Sequence, residues 1–535
     1  MIQLAGTDIL VIIAYFLVVF LIAFWAIVKR KGKQNSGEYF LAGRNMGWFV
    51  VGASLFASNI GSEHLIGLAG SGFSSGVSVA QYEIWAGLIL LLLGWVFVPF
   101  YLKSGVATMP EFLEKRYSPA TRSYLAVISV IGYVLTKISV TIYAGGIVFS
   151  AIGMDFWTGA LLLVVATGIY TIAGGLRAVV YTDTLQMFVL VGGAITVTIF
   201  GLHQIGGFQA LKLQAGSGFF NMWKPASHPN YPWTGILFGA PILGVWYWCT
   251  DQFIVQRVLS AKDIANARKG SIFAGFLKML PLFIFVFPGI IAYVLMQQGQ
   301  LQISNPNETL PVLVKTLLPA GLRGLVIAGL FAALMSSLSS VFNSCSTLIT
   351  LDFYKKYRPA ASEKTLVWVG QLSTALLVVL GLLWIPFMKF FSNQLYLYLQ
   401  SVQAYIAPPI AAVFLLGLFF KRLNAIGALS ALWTGFFLGA ARLIAELFKS
   451  SIHPGTPLFF FANVNFLHFA IMLFILCVVV LTLVSLATSP PDKLQIEQLV
   501  YHKSSFHIRN LLLSKEWWLS VLLLLLVASI WIYFS

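Results

Sequence analysis

Apolar stretches of about 20 residues recur along nearly the whole chain, and that recurrence limits the fold more than any other feature. They fall near 7–28, 48–72, 80–102, 123–152, 157–175, 182–203, 232–255, 271–296, 320–351, 365–388, 396–419, 424–447, 463–487 and 517–534. Each is long enough to cross a bilayer as a helix, which satisfies its own backbone hydrogen bonds away from water. The spacing predicts an all-α polytopic membrane protein of about fourteen transmembrane helices, with no soluble domain. The chain is 59% hydrophobic and only 9% charged, a balance that soluble globular domains do not have.

A net charge of +16 raises nucleic acid as a partner, but the distribution of the charge excludes it. Lys and Arg gather in alternate loops, near 29–44, 103–122, 177, 257–269, 355–364, 421–422 and 493–515, with Arg116 and Arg257 counted among them. The positive-inside rule assigns all of these loops to the cytoplasm, so strict alternation over fourteen spans leaves both termini outside. The first apolar segment has no basic region ahead of it and is too long for a signal peptide, so it reads as a retained helix. Cys249, Cys345 and Cys477 all fall within predicted spans, with neither a disulfide framework nor metal-ligand spacing.

One span is interrupted. Ala57-Ser-Asn-Ile-Gly-Ser-Glu-His64 puts Asn59, Glu63 and His64 at membrane depth, with Gly52 and Gly61 beside them. Unsatisfied polar groups there cost several kcal/mol each. A helix opened at this point, its backbone lining a cavity, points to a solute and ion site in a secondary transporter. Helix counting adds a second expectation. Helices two to six and seven to eleven form two five-helix units, the second inverted, and the first helix of each is the broken one. That organisation divides the chain into 1–47, 48–203, 204–420 and 421–535. It puts the second break in 232–255, where Gly235, Gly239, Pro241 and Gly244 precede Trp246-Tyr247-Trp248.

Glu83, Lys278 and Gln400 lie on different helices from one another and from the span that carries Asn59 and His64. An uncharged polyol needs donors and acceptors of this kind together with aromatic faces, which Tyr82, Trp246, Tyr247, Trp248 and Tyr396 supply. The alternative for Glu83 and Lys278 is a structural ion pair, and for His64 a satisfied packing residue. Ala333, Ser336, Ser337 and Ser340 share one helical face. Opposite freed carbonyls, their hydroxyls make an all-oxygen cage for a hard monovalent cation. Small-residue helix packing is the competing reading. Asp183 reads either as a helix-start cap or as part of a second cation site. Gly67, Gly70, Gly72 and Gly76 follow no strand and read as close packing rather than a phosphate loop. Without a Walker A, HExxH, GxSxG or CxxC motif, neither ATP drive nor an enzyme has support.

The chain resembles the sodium/solute symporter family, and its sodium–glucose cotransporter branch closely. The resemblance is carried by Gly52-Ala-Ser-Leu-Phe-Ala-Ser-Asn-Ile-Gly61, Thr108-Met-Pro-Glu-Phe112, Gly174-Gly-Leu-Arg-Ala178 with Tyr181-Thr-Asp183, Trp246-Tyr-Trp-Cys-Thr-Asp-Gln252, Ala333-Leu-Met-Ser-Ser337 with Phe342-Asn343-Ser344, and Ala407-Pro-Pro-Ile-Ala-Ala-Val-Phe414. It implies a LeuT-like five-plus-five inverted repeat with extra flanking helices. It implies sugar contacts at Asn59, His64, Glu83, Tyr247, Trp248, Lys278 and Gln400. Leu68, Tyr82 and Tyr396 match an outer gate, and Tyr247 an inner one.

For sodium, the resemblance implies a main site from the carbonyls of Ala57, Ile60 and Ala333 and the hydroxyls of Ser336 and Ser337. Two-sodium members have a hydroxyl residue at the position of Ser339. With Asp183, Ser336 and Ser340, that residue implies a second sodium site and two ions per sugar. Gly244 and Leu397 depart from the sugar-carrier pattern. Ile84 and the absence of long external Cys-containing insertions suggest a bacterial inner-membrane protein. The expected activity is sodium-coupled transport of a glucose/galactose-type hexose. A myo-inositol or other polyol carrier, and a membrane sugar sensor, are the alternatives.

Overall fold

Each of the predicted apolar stretches is helical over most of its described residues. The computed structural model describes residues 4–29, 35–61, 63–388, 395–492, 496–497, 499–501 and 514–535. Among these residues there is no strand, only two isolated bridges, Met46 with Ala261 and Lys224 with Pro232. Eleven continuous helices among the described residues are long and apolar enough to cross a membrane. The predicted spans outnumber them because two are built from short pieces and two others run on as one helix.

That continuous pair is Phe156–Ile205, 50 residues bent at Gly175, where φ is 58° and ψ −155°. At a rise of ~1.5 Å per residue the whole would reach ~75 Å, more than twice a bilayer core, so the glycine turn joins two crossings. A Cβ at Gly175 would collide with the Tyr39 carbonyl, and only glycine adopts such a φ without strain. Asp183 therefore lies about two turns inside the second crossing. The helix-start reading of Asp183 is corrected: Gly175 alone makes the turn, and the backbone is already helical again when it reaches 176–181.

The first broken helix runs from Trp48 to Asn59 and stops at Ile60, whose φ of −75° and ψ of 94° are extended. It resumes with π turns at Glu63–Leu68 and continues through Ala69–Ser75. The Gly61 carbonyl accepts from the backbone N–H groups of His64 and Leu65, so the gap is bridged on its C-terminal side. The second half lies against the Phe287–Gln297 helix at near-backbone contact, since a Cβ on Gly289 would strike the Ala69 carbonyl.

The second broken helix differs from expectation. Its pieces Trp233–Phe238, Ala240–Gly244 and the π-helical Val245–Thr250 run on to Asp251, where φ −78° and ψ 125° end them before Gln252–Leu259. The break is at Asp251, not among Gly235, Gly239, Pro241 and Gly244. A wide π turn leads out of the first part, and the Asp251 carboxylate accepts from Phe253 N at 3.2 Å to start the next helix. The glycines serve packing: a Cβ on Gly239 would come within 2.6 Å of the Leu467 carbonyl oxygen.

Around these breaks the Trp48–Asn59 segment is enclosed by Ile264–Leu277, Phe156–Ile205 and Leu322–Thr347. The last of these, here the serine helix, is buried along nearly its entire length. Its N-terminus is tied to the lipid-facing Gly6–Val28 helix. The buried Asp8 carboxylate accepts from the backbone N–H groups of Gly321 and Gly324 at 2.7 and 2.8 Å, satisfying donors that a helix start leaves free. Arg116, counted among the cytoplasmic loop charges, is buried. Its guanidinium donates to the carbonyls of Gly417, Phe420 and Leu423 at 2.8, 2.9 and 3.1 Å. The correction has a simple cause, since the end of the Leu395–Phe419 helix leaves carbonyls that need donors.

Candidate functional site

The opened turn at Ile60 and the π turns of the second broken helix face a common space. It holds about 610 Å³, counting its mouth, and is lined by Asn59, His64, Glu83, Tyr247, Trp248, Lys278 and Gln400. The structure thus brings all seven expected cargo residues to one cavity. Tyr82, Trp85, Lys137, Gly244 and Gln403 complete much of its wall.

Their polar groups form a connected chain. Lys278 Nζ pairs with Glu83 Oε2 and donates to Asn59 Oδ1. Glu83 Oε1 lies 3.3 Å from His64 Nε2. Asn59 Nδ2 donates to the Tyr247 hydroxyl at 2.9 Å, and Lys137 Nζ donates to the same oxygen at 3.1 Å. The Lys278 ammonium also sits 5.4 Å from the Trp248 ring centroid. Glu83 and Lys278 are buried, so the ion pair considered as an alternative is present, and both partners line the cavity as well. The site offers a carboxylate, two ammonium groups, amides and a phenol beside aromatic faces, a set suited to a neutral polyhydroxyl solute.

The gate residues divide. Tyr82 lines the cavity and meets the Tyr231 ring edge-on at 6.4 Å. Leu68, at the end of the π turns of the first broken helix, is fully buried and is not part of the cavity wall. The expectation for Tyr396 falls on a side chain outside those described.

On the far side of the first broken helix, buried oxygens converge. Asp183 accepts hydrogen bonds from Ser336 at 2.6 Å, Ser54 at 2.6 Å and Ser58 at 3.1 Å. Ser337 Oγ donates to the Ser58 carbonyl at 3.5 Å, and Ser340 Oγ donates to Ser58 Oγ at 2.9 Å. Serine hydroxyls, a carboxylate and main-chain carbonyls at the end of an opened helix fit a hard cation such as sodium. Ala57, Ile60 and Ala333 are buried in the same segments. Ser339 makes no hydrogen bond to Asp183: its hydroxyl donates to the Ser336 carbonyl of its own helix at 3.0 Å and lies against the Tyr170 hydroxyl of the Gly175-bent helix.

Two functional residues escaped the sequence reading. Lys137 is a buried cation at the middle of the Pro119–Ser150 span, 4.5 and 4.4 Å from the ring centroids of Tyr247 and Phe253. The rule that singles out intramembrane charges, applied to that span, finds it. Arg257 was assigned to a cytoplasmic loop, but it is fully buried and donates from Nε to Ser58 Oγ at 3.1 Å. The short helix after Asp251 turns it back into the protein, which corrects that assignment.

Broken helices flanking a polar cavity and an oxygen cage define a secondary transporter that couples a solute to a cation. The chain belongs to the Sodium:solute symporter family, whose model matches residues 39–435. It is 41% identical over 529 residues to sodium/glucose cotransporter 1 of Oryctolagus cuniculus, covering 91% of this chain and 80% of that one. It is also 41% identical over 530 residues to sodium/myo-inositol cotransporter 2 of the same species, covering 92% and 78%. Among solved structures, a Na+-coupled sialic acid symporter in a substrate-bound outward-open state superposes with a TM-score of 0.77 at 22% identity, over 91% of this chain and 99% of the other. A nucleobase-cation-symport-1 family transporter in a closed conformation gives a TM-score of 0.56 at 12% identity, over 88% and 99%. These two likenesses speak to the fold, which is of the LeuT-like class. The chain is a sodium–solute symporter, with sodium as the coupled ion.

Proposed function

We propose that the protein carries a glucose/galactose-type hexose inward with two sodium ions. The observation that carries this reading is the single cavity lined by Asn59, His64, Glu83, Tyr247, Trp248, Lys278 and Gln400. In this reading these residues hold the sugar, Leu68, Tyr82 and Tyr396 close over it, and Tyr247 releases it inward. Sodium binds between the carbonyls of Ala57, Ile60 and Ala333 and the hydroxyls of Ser336 and Ser337, with a second ion at Asp183, Ser336, Ser339 and Ser340. The ion bridges the first broken helix to the serine helix and favours the outward-open state. Cargo binding then closes the outer side, each step being a population shift driven by differential affinity. Residues 48–203 and 204–420 form the two inverted repeats, flanked by 1–47 and 421–535. The protein resides in a bacterial inner membrane with both termini outside, and it leaves its cargo chemically unchanged.

Two ions matter energetically. A potential of about 100 mV contributes roughly 2.3 kcal/mol per charge, and a tenfold sodium gradient about 1.4 kcal/mol. One ion limits accumulation to about 500-fold, and two raise the limit to roughly 10⁵-fold.

A second reading, transport of myo-inositol or another polyol, is favoured by equal identity to the myo-inositol cotransporters. Uptake of labelled hexoses and polyols into proteoliposomes, in sodium and then in potassium, tests both. Hexose uptake that needs sodium supports the first reading, and sodium-dependent uptake of polyols alone supports the second. Cargo binding without uptake leaves the membrane sensor as the function.

A further inference from the structure

We propose that Arg257 is a positioning residue that couples the sodium cage to the second broken helix, its guanidinium exchanging between Asp183 and Asp251. The proposal rests on the sodium-symport reading above. Arg257 lies in the last turn of Gln252–Leu259 and folds back along that helix. Its Nη1 donates to the Phe253 carbonyl at 2.6 Å, and its guanidinium carbon lies 5.6 Å from the Phe253 ring centroid. The Nε donates to Ser58 Oγ, which in turn donates to Asp183 Oδ2. Both Asp183 and Asp251 attract the guanidinium electrostatically.

The arginine is incompletely satisfied. Its Nη2 has no hydrogen-bond partner, and neither does Asp251 Oδ2, although both residues are buried. An orphaned donor on a cation and an orphaned acceptor on an anion, at opposite ends of one short helix, are complementary. A planar guanidinium with five N–H donors can serve two acceptors in turn. With no ion at Asp183, Arg257 is the positive charge that serves that carboxylate through Ser58. A sodium ion beside Asp183 repels the guanidinium and takes over its role, which leaves Asp251 as the favoured partner. Asp251 sits at the helix break, and its N–H donates to the Trp246 carbonyl at 3.0 Å, next to Tyr247. Cage occupancy is thereby transmitted to the residues that close the cargo cavity on its inner side.

The test compares the full-length wild type with R257Q, R257K and D251N in proteoliposomes. It reads half-saturating sodium from tryptophan fluorescence, with choline as the replacement cation, and turnover from uptake. R257Q removes the competing charge beside Asp183. It is expected to lower half-saturating sodium by about fivefold or more while slowing turnover, a shift at the lower end of the range for coupled sites. D251N removes the alternative partner, holds Arg257 at the cage and raises half-saturating sodium. R257K, a point charge without the fork, falls between wild type and R257Q. Shifts of the same sign in R257Q and D251N, or no shift in either while the wild type responds to sodium, overturn the proposal. If R257Q does not fold, D251N decides: a raised half-saturation supports the exchange, and an unchanged one overturns it. A wild type without any sodium response removes the symport reading and this inference with it.

Discussion

Ser336 donates a 2.6 Å hydrogen bond to Asp183, joining the serine helix to the second crossing of the Gly175-bent helix at a point where both are fully buried. The pair fixes one wall of the oxygen cage, and its removal isolates the contribution of that wall. Ser336→Ala is expected to raise half-saturating sodium at least roughly tenfold, the scale of a hydrogen bond to a charged group. Sodium-dependent uptake at fixed sugar measures it. An unchanged sodium dependence in a folded variant would remove Ser336 from the cage.

Glu83 and Lys278 pair at the cavity wall, so structural and cargo roles must be separated. Either Glu83→Gln or Lys278→Met alone strands a buried charge and destabilises by roughly 3–5 kcal/mol. The double variant should unfold at a temperature nearer the wild type, because no charge is left unpaired. Sugar binding should be lost in all three. Recovery of uptake in the double variant would reduce the pair to a structural strut.

The ratio of sodium to sugar is open to direct measurement. Ser339→Ala should lower the Hill coefficient for sodium towards one and leave sugar affinity at saturating sodium unchanged. Simultaneous recording of charge and sugar uptake checks the premise, and one charge per sugar in the wild type would end it. Ser340→Ala is the informative companion, since its hydroxyl contacts Ser58 while that of Ser339 meets the Ser336 carbonyl and the Tyr170 hydroxyl.

Lys137 donates to the same phenol oxygen as Asn59. Lys137→Met should raise the sugar concentration for half-maximal uptake by roughly tenfold, the scale of one hydrogen bond from a charged donor. Half-saturating sodium should move little. Uptake curves at saturating sodium distinguish this from a general loss of folded protein, which lowers the maximal rate at constant affinity.

The spans were legible because a bilayer imposes a length and an apolar composition that survive any detail of packing. The first break was legible for a related reason, since Asn59 and His64 have no place in an unbroken apolar helix. The second was misplaced because Gly239 carries the same sequence signal for close backbone approach as for unwinding, and here it permits contact with Leu467. Arg116 and Arg257 looked like loop cations because composition cannot tell a charge in water from one that caps carbonyls or serves a buried carboxylate. Lys137 went unread although the signal was present, a lone ammonium in an apolar span.

The one-residue bend at Gly175 makes the chain unforgiving of length change at that point. An insertion beside it would either lengthen the turn or rotate everything beyond by ~100° per added residue, swinging Asp183 off the face that meets Ser336. Tags, protease sites or fused domains introduced there should abolish sodium dependence even where the helices themselves still form. The joint sets the rotational phase of the whole second crossing.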